Sequence, residues 1–253
     1  MGSLNLTTAI YLFFTYAAGL IFLIGVILRI YHYATTPQPV KIPLTPAPLT
    51  KGGALVRILG EVFFFKSLFK SNKPTWFFGY IFHISFFLLI FMHFLRHFIY
   101  SNPLPWWYNI FVDIGIVCGI LMVLSLFFLF LRRVVVERVK FISLFQDYVI
   151  LILLMLIGLA GLSLNYVLSP AALTTVDNHL DPYMNGLVSF QFTNIPSNPL
   201  FLIHYSLVLL LIAYIPFSKI MHFIGIFFSP TRIMTDNPEE ERYYRPEAKD
   251  LSI

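Results

Sequence analysis

The stretch WFFGYIFHISFFLLIFMHFLRHF, residues 76 to 98, is apolar enough to lie in hydrocarbon, yet it carries His83, His93, Arg96 and His97. Ionisable side chains at membrane depth are costly, and the chemistry that keeps them there is proton relay, ion binding or cofactor ligation. His83 and His93 stand ten residues apart, which on a helix is about 15 Å of rise and roughly 80° of rotation, so they occupy two depths. A second apolar stretch holds His204 and His222, eighteen residues apart; on an unbroken helix that is about five turns, one shared face and some 27 Å of rise. An interhelical hydrogen bond accounts for one intramembrane histidine. Four at two depths on two helices point to paired ligation.

The elements that must position these residues are membrane spans. Of 253 residues, 58% are hydrophobic and 11% charged, and the mean hydropathy is +0.79, which excludes an ordinary soluble domain. Crossing the hydrocarbon core takes about 20 helical residues, and runs of that kind lie at 8–31, 76–100, 108–131, 142–168 and 199–228. The runs are continuous rather than alternating, so a β-barrel is excluded. The expected fold is an all-α integral membrane protein of five transmembrane helices over residues 1–228, followed by a tail at 229–253. The first run lacks a basic leader and a small-residue cleavage site, so it is expected to be a retained span. Cys118 is the one cysteine; the chain can form no internal disulfide and cannot hold an iron-sulfur cluster by itself.

Basic residues set the expected orientation. Of the 17 lysines and arginines, all but Arg96 fall in the 32–75 connection, the 132–140 connection, the C-terminal tail or the adjoining helix ends. The N-terminus is therefore expected outside and the C-terminus in the cytoplasm. The charge of +5 is a topology signal, spread over three segments, and not a nucleic-acid-binding surface. Pro37, Pro39, Pro43, Pro46 and Pro48 break the first connection, and residues 54–70 suit a short amphipathic helix on the inner membrane face or a partner-docking surface. The acidic 169–198 connection, with Asp177, His179 and Asp181, is long for a bare loop and reads as a lid or an irregular cap. His32 and His179 read as solvent-exposed.

Spans two and five run in opposite directions, so His83 meets His222 near the cytoplasm while His93 meets His204 near the exterior. Rises of 15 and 27 Å differ, which requires tilt or a kink at Pro216. A bare metal ion wants ligands converging at one depth. Haem iron instead accepts two axial imidazoles, and its porphyrin fills apolar space between helices. Arg96 and Lys219 lie about one turn from a proposed ligand, within reach of a propionate, or alternatively snorkel to headgroups. Gly79 removes bulk one turn before His83, for a porphyrin or for close helix packing. There is no C-x-x-C-H, so the haem is expected to be the non-covalent b type, two per chain.

At these residues the chain resembles the membrane cytochrome b (gamma) subunit of respiratory nitrate reductases and its relatives, through the two histidine spacings and the stretch PFSKIMH ending at His222. The wording YIPFSKIMHFIGIFFSPTR is similar to the branch associated with dissimilatory sulfite reduction and heterodisulfide-reductase-like menaquinol oxidoreductases. The resemblance implies a cytoplasm-proximal haem on His83 and His222, a distal haem on His93 and His204, and exchange of electrons with menaquinol. It also implies a cytoplasmic iron-sulfur partner resembling the heterodisulfide reductase catalytic subunit, for which the tail TDNPEEERYYRPEAKD would be a docking strip. The expected quinone pocket is the outer end of span two, where His97 and Asp113 exchange protons with the quinol. Two other functions fit the same spans: a haem-free transporter or channel with a histidine proton relay, and a membrane anchor without electron transfer.

Overall fold

Without water to satisfy them, backbone N–H and C=O groups in hydrocarbon must bond within their own segment, which makes helix the default for these apolar runs. The computed structural model describes residues 4–37, 46–99, 108–168 and 170–236, and among them every regular element is helical. In chain order these are α1 (Leu6–Thr35), α2 (Lys51–Phe64), α3 (Lys66–Ser71), α4 (Lys73–Phe94), α5 (Tyr108–Val135), α6 (Glu137–Ile142), α7 (Phe145–Val167), α8 (Pro170–Ser189), α9 (Pro199–Tyr214), α10 (His222–Gly225) and α11 (Pro230–Ile233). Five stretches among the described residues are long and apolar enough to cross a membrane: Leu6–Thr35, Lys73–Ile99, Ile110–Val135, Phe145–Val167 and Pro199–Phe217. The five expected spans are all present.

The chain divides into two compact units, one of Met1–Leu23 with Pro74–Ser218 and one of Ile24–Lys73 with Lys219–Ile253. In the first, α5 and α7 approach closely through glycines: a Cβ on Gly158 would sit 2.7 Å from both Met122 Cε and Val123 Cγ2, and one on Gly119 would sit 2.9 Å from Leu162 Cδ2. Small residues at such contacts let helices pack where lipid supplies no hydrophobic drive. The same unit holds an apolar core among α1, α8 and α9, built on Ala18, Val176, Leu180, Tyr183, Ile195, Phe201, Tyr205 and Leu209. Hydroxyls stitch it: Tyr11 pairs with Ser206 at 2.8 Å and Thr15 with Tyr205 at 2.8 Å. Asp147 begins α7 by accepting the Leu144 N–H at 3.0 Å, as an acidic residue in a first turn should.

In the second unit, residues 54–70 do not form one helix. The chain turns at Phe65, in the left-handed region at φ 48°, between α2 and α3. Glu61 holds the corner: its carboxylate accepts the Ser67 N–H at 3.1 and 3.2 Å and the Ser67 hydroxyl, and pairs with Arg232 at 3.0 Å. The fifth span also ends earlier than its apolar run. Pro216 lies in a tight 3-10 turn, Ile215–Phe217, and Ser218 is extended, so the chain restarts at Lys219 and enters α10 at His222. The 27 Å rise between His204 and His222 presumes an unbroken helix and does not apply. Residues 237–253, with most of the acidic tail strip, lie outside the described residues.

The 169–198 connection is largely helix rather than loop. Val176, Leu180 and Tyr183 are buried at helical spacing on α8, and the chain turns back at Phe190, also left-handed at φ 59°. Gly186 makes that return possible, because a Cβ there would collide with the Gln191 carbonyl oxygen and lie 3.6 Å from Phe192 Cα. Backbone cannot rotate away as a side chain can, so Gly186→Ala is expected to destabilise the protein by about 2 kcal/mol. Thermal unfolding followed by circular dichroism in detergent checks this, with Gly52→Ala, where a Cβ meets nothing within 4 Å, as the control.

Candidate functional site

The first unit brings His93 of α4 and His204 of α9 together, with ring centroids 6.4 Å apart and planes 24° from parallel. His204 is placed by its own helix: Asn198 caps α9, accepting the Leu200 and Phe201 N–H groups at 3.0 and 3.3 Å, and Phe201, Tyr205 and Leu209 anchor one face. The adjoining position turns the imidazole onto α7, where Nδ1 lies 3.1 Å from the Ile157 carbonyl oxygen. His93 Nδ1 lies 2.7 Å from the Leu89 carbonyl oxygen. Carbonyl oxygens only accept, so Nδ1 carries the proton in both rings and Nε2 presents its lone pair, the form that ligates metal.

The other two proposed ligands share the arrangement. His83 Nδ1 donates to the Gly79 carbonyl at 2.7 Å, and His222 Nδ1 to the Lys219 carbonyl at 3.0 Å. His179 donates likewise to Thr175 at 2.8 Å, so a carbonyl partner one turn back is ordinary for a helical histidine. What distinguishes the site is the second histidine facing the first. His83 belongs to the first unit and His222 to the second. A Cβ on Gly79 would meet nothing within 4 Å, and Gly79 itself is buried. Lys219 is exposed.

Beyond His93, α4 widens into a π-helical turn, Leu95–Ile99, an irregularity common at functional sites. Within it two successive side chains reach one carboxylate. Arg96 Nη1 lies 2.6 Å from Asp181 Oδ2, and His97 Nδ1 lies 3.1 Å from Asp181 Oδ1. Arg96 Nη2 lies 3.4 Å from Asp177. Arg96 is 7% exposed and Asp181 8%, so this is a buried cluster. The His97 ring stands 6.1 Å from the His93 ring. Asp113 is exposed on α5 and is not brought to His97 or Arg96; the carboxylates at that place come from α8. In the sequence Asp177 and Asp181 fall in a connection that reads as a lid or an irregular cap, although their four-residue spacing beside Val176 and Leu180 is a helical signal.

The nitrate reductase gamma subunit family profile matches residues 67–242. The chain belongs to the nitrate reductase gamma subunit family. It is also similar to two archaeal proteins, each named Hdr-like menaquinol oxidoreductase cytochrome b-like subunit. That of Archaeoglobus profundus is 30% identical across 95% of this chain and 84% of its own length. That of Archaeoglobus fulgidus is 32% identical across 91% of this chain and 81% of its own length. With five spans and this membership, the chain is a multi-pass membrane protein.

For a family member the cofactor to test is haem, and the residues fit it. His93 and His204, with Nδ1 of each ring bonded to a carbonyl and Nε2 left as a lone-pair donor, would hold it, and it would supply one-electron transfer there. Among the described residues no three His, Cys, Asp or Glu side chains converge as they would on a bare metal ion.

Asp177, on α8 outside the spans, has its pKa raised above the usual 3.8, first by burial and then by neighbouring Asp181, against the pull of Arg96. A carboxylate raised on folding favours the folded state below its ordinary pKa, and that preference is lost as pH rises through the raised value. Wild type and Asp177→Asn should therefore be equally affected by pH below about 4, and wild type should lose stability relative to the variant above it. Thermal unfolding of the pair from pH 3.5 to 8 reads the difference.

Proposed function

We propose that this chain is the cytochrome b subunit of a membrane menaquinol oxidoreductase complex, with two b haems carrying electrons between the quinone pool and a cytoplasmic iron-sulfur subunit. The facing of His93 and His204 carries the reading, supported by family membership and by the names of the two archaeal relatives. His93 and His204 hold the distal haem, and His83 and His222 the proximal one. Lys219 pairs with a propionate, Arg96 takes another in exchange with Asp177, its longer contact, and Gly79 leaves space beside His83. The haems supply reversible one-electron transfer when bound. The N-terminus lies outside, so His93 and His97 lie near the exterior. The iron-sulfur partner resembles the heterodisulfide reductase catalytic subunit.

Oxidising a quinol to a quinone releases two electrons and two protons, and the chain's part is to receive the protons on the outer side. His97 is placed for this. Asp181 accepts a hydrogen bond from its Nδ1–H, which fixes the tautomer and leaves Nε2 as the base, and an imidazolium formed there is stabilised by the same carboxylate. Arg96, 2.6 Å away, holds Asp181 in position. Asp113, the other residue assigned to proton exchange, is exposed on α5 and has no comparable orienting contact.

The first test is the reduced-minus-oxidised spectrum with pyridine haemochrome quantification of the purified chain. Two b haems per polypeptide are expected, falling to one in His93→Ala or His204→Ala; absence of a Soret band in material purified with its native partners overturns the reading in favour of a proton-relay transporter. For the proton step, His97→Ala and Asp181→Asn should slow haem reduction by a menaquinol analogue about 100-fold, with Asp113→Asn slowing it less. Equal rates in all three variants and wild type would remove the pocket from this end of α4.

A further inference from the structure

Resting on the haem reading, we infer that Gly161 and the Ile157 carbonyl on α7 form the seat that orients the His204 imidazole, which makes α7 a positioning element of a haem site to which it gives no ligand. Three of the four proposed ligands bond a carbonyl three or four residues back in their own segment: His83 to Gly79, His93 to Leu89 and His222 to Lys219. His204 instead reaches across, 47 residues away, to Ile157.

That reach has a cause in the sequence of α7. The Ile157 carbonyl has two lone pairs, and in an α-helix one is taken by the N–H four residues on, which here belongs to Gly161. Side chains on a helix lean back over the preceding turn, so a side chain at 161 would cover the flank of the carbonyl at 157. Glycine leaves it open. A Cβ at 161 would lie 3.1 Å from His204 Cε1, 3.5 Å from Nδ1 and 3.9 Å from Nε2, so the imidazole occupies the place a side chain would fill. The ring is held by a hydrogen bond to Ile157 and by close approach to α7 at Gly161. The direction of the Nε2 lone pair, and with it the imidazole plane about the metal–nitrogen bond, is therefore set by α7. Partners that fix a ligating imidazole's orientation and basicity alter the properties of the metal it binds.

The experiment is Gly161→Ala, in the full-length protein carrying its haems, read by electron paramagnetic resonance of the oxidised haems and by redox titration. A Cβ at 3.1 Å forces the ring to move by a few tenths of an ångström. The expected result is two haems per polypeptide, with the low-spin signal and midpoint potential of one haem shifted and those of the other unchanged. Gly119→Ala is the control, since its Cβ would press on Leu162 Cδ2 at 2.9 Å and touches no histidine. Unchanged signals in Gly161→Ala, or the same shift in Gly119→Ala, overturn the inference. Wild type without haem would instead sink the functional reading beneath it. If Gly161→Ala fails to assemble, pulsed resonance on wild-type protein labelled with 15N-histidine decides: a hydrogen-bonded Nδ1 proton on every haem ligand supports the seat, and an unbonded one on His204 refutes it.

Discussion

An imidazole in hydrocarbon has two nitrogens to satisfy and no water to do it. One ring nitrogen can donate to a helix carbonyl, because every such carbonyl has a lone pair beyond the one its own helix uses. The other must accept from a donor or bind a metal. At His93 and His204 the first half is done by Leu89 and Ile157, and the two rings stand with centroids 6.4 Å apart. The remaining arrangement of the first unit follows from keeping those rings so disposed: α9 must be capped at Asn198 and anchored by Phe201, Tyr205 and Leu209, and α7 must pass close enough to lend a carbonyl. Gly161 provides that closeness.

The spans and the histidine pair at 93 and 204 were legible in the sequence because hydropathy and spacing are properties of single segments. Departures arise where one segment is decided by another. Pro216 sits inside an apolar run that hydropathy extends to residue 228, yet the helix closes at Phe217 and the backbone is extended at Ser218. Glu61 reads as one charge on an amphipathic helix, but its partners Ser67 and Arg232 fold the chain at Phe65. Gly161 reads as one more small residue in an apolar span. Its meaning depends on His204, 43 residues later in the chain and adjacent only in space.

Asp181 shows the same limit in charge. On composition, 169–198 is an acidic connection, and acidity in a connection ordinarily means solvation. The structure instead buries Asp181 against Arg96 and His97. A buried charge is tolerated only when paired, and removing one member leaves the others uncompensated. Arg96 is the basic residue that departs from the distribution of the other sixteen, and that exception has a local explanation in two carboxylates. The π-helical turn belongs to it as well: widening the last turn of α4 lets neighbouring side chains, Arg96 and His97, address a single carboxylate on another helix.

Helices in lipid are not driven together by burial of apolar surface, since the acyl chains are as apolar as leucine. What holds the first unit is local: glycine contacts between α5 and α7, hydroxyl pairs between α1 and α9, and the ionic cluster between α4 and α8. Between α4 and α9 the His93 and His204 rings come together, and His93 stands exposed on a largely apolar helix. Under the proposed function, a porphyrin bound there covers that imidazole and supplies the apolar surface between the two helices. Ligation would then be part of how α4 and α9 associate as well as how electrons pass, and α7, which gives no ligand, enters the site because it offers a carbonyl where the ring needs one.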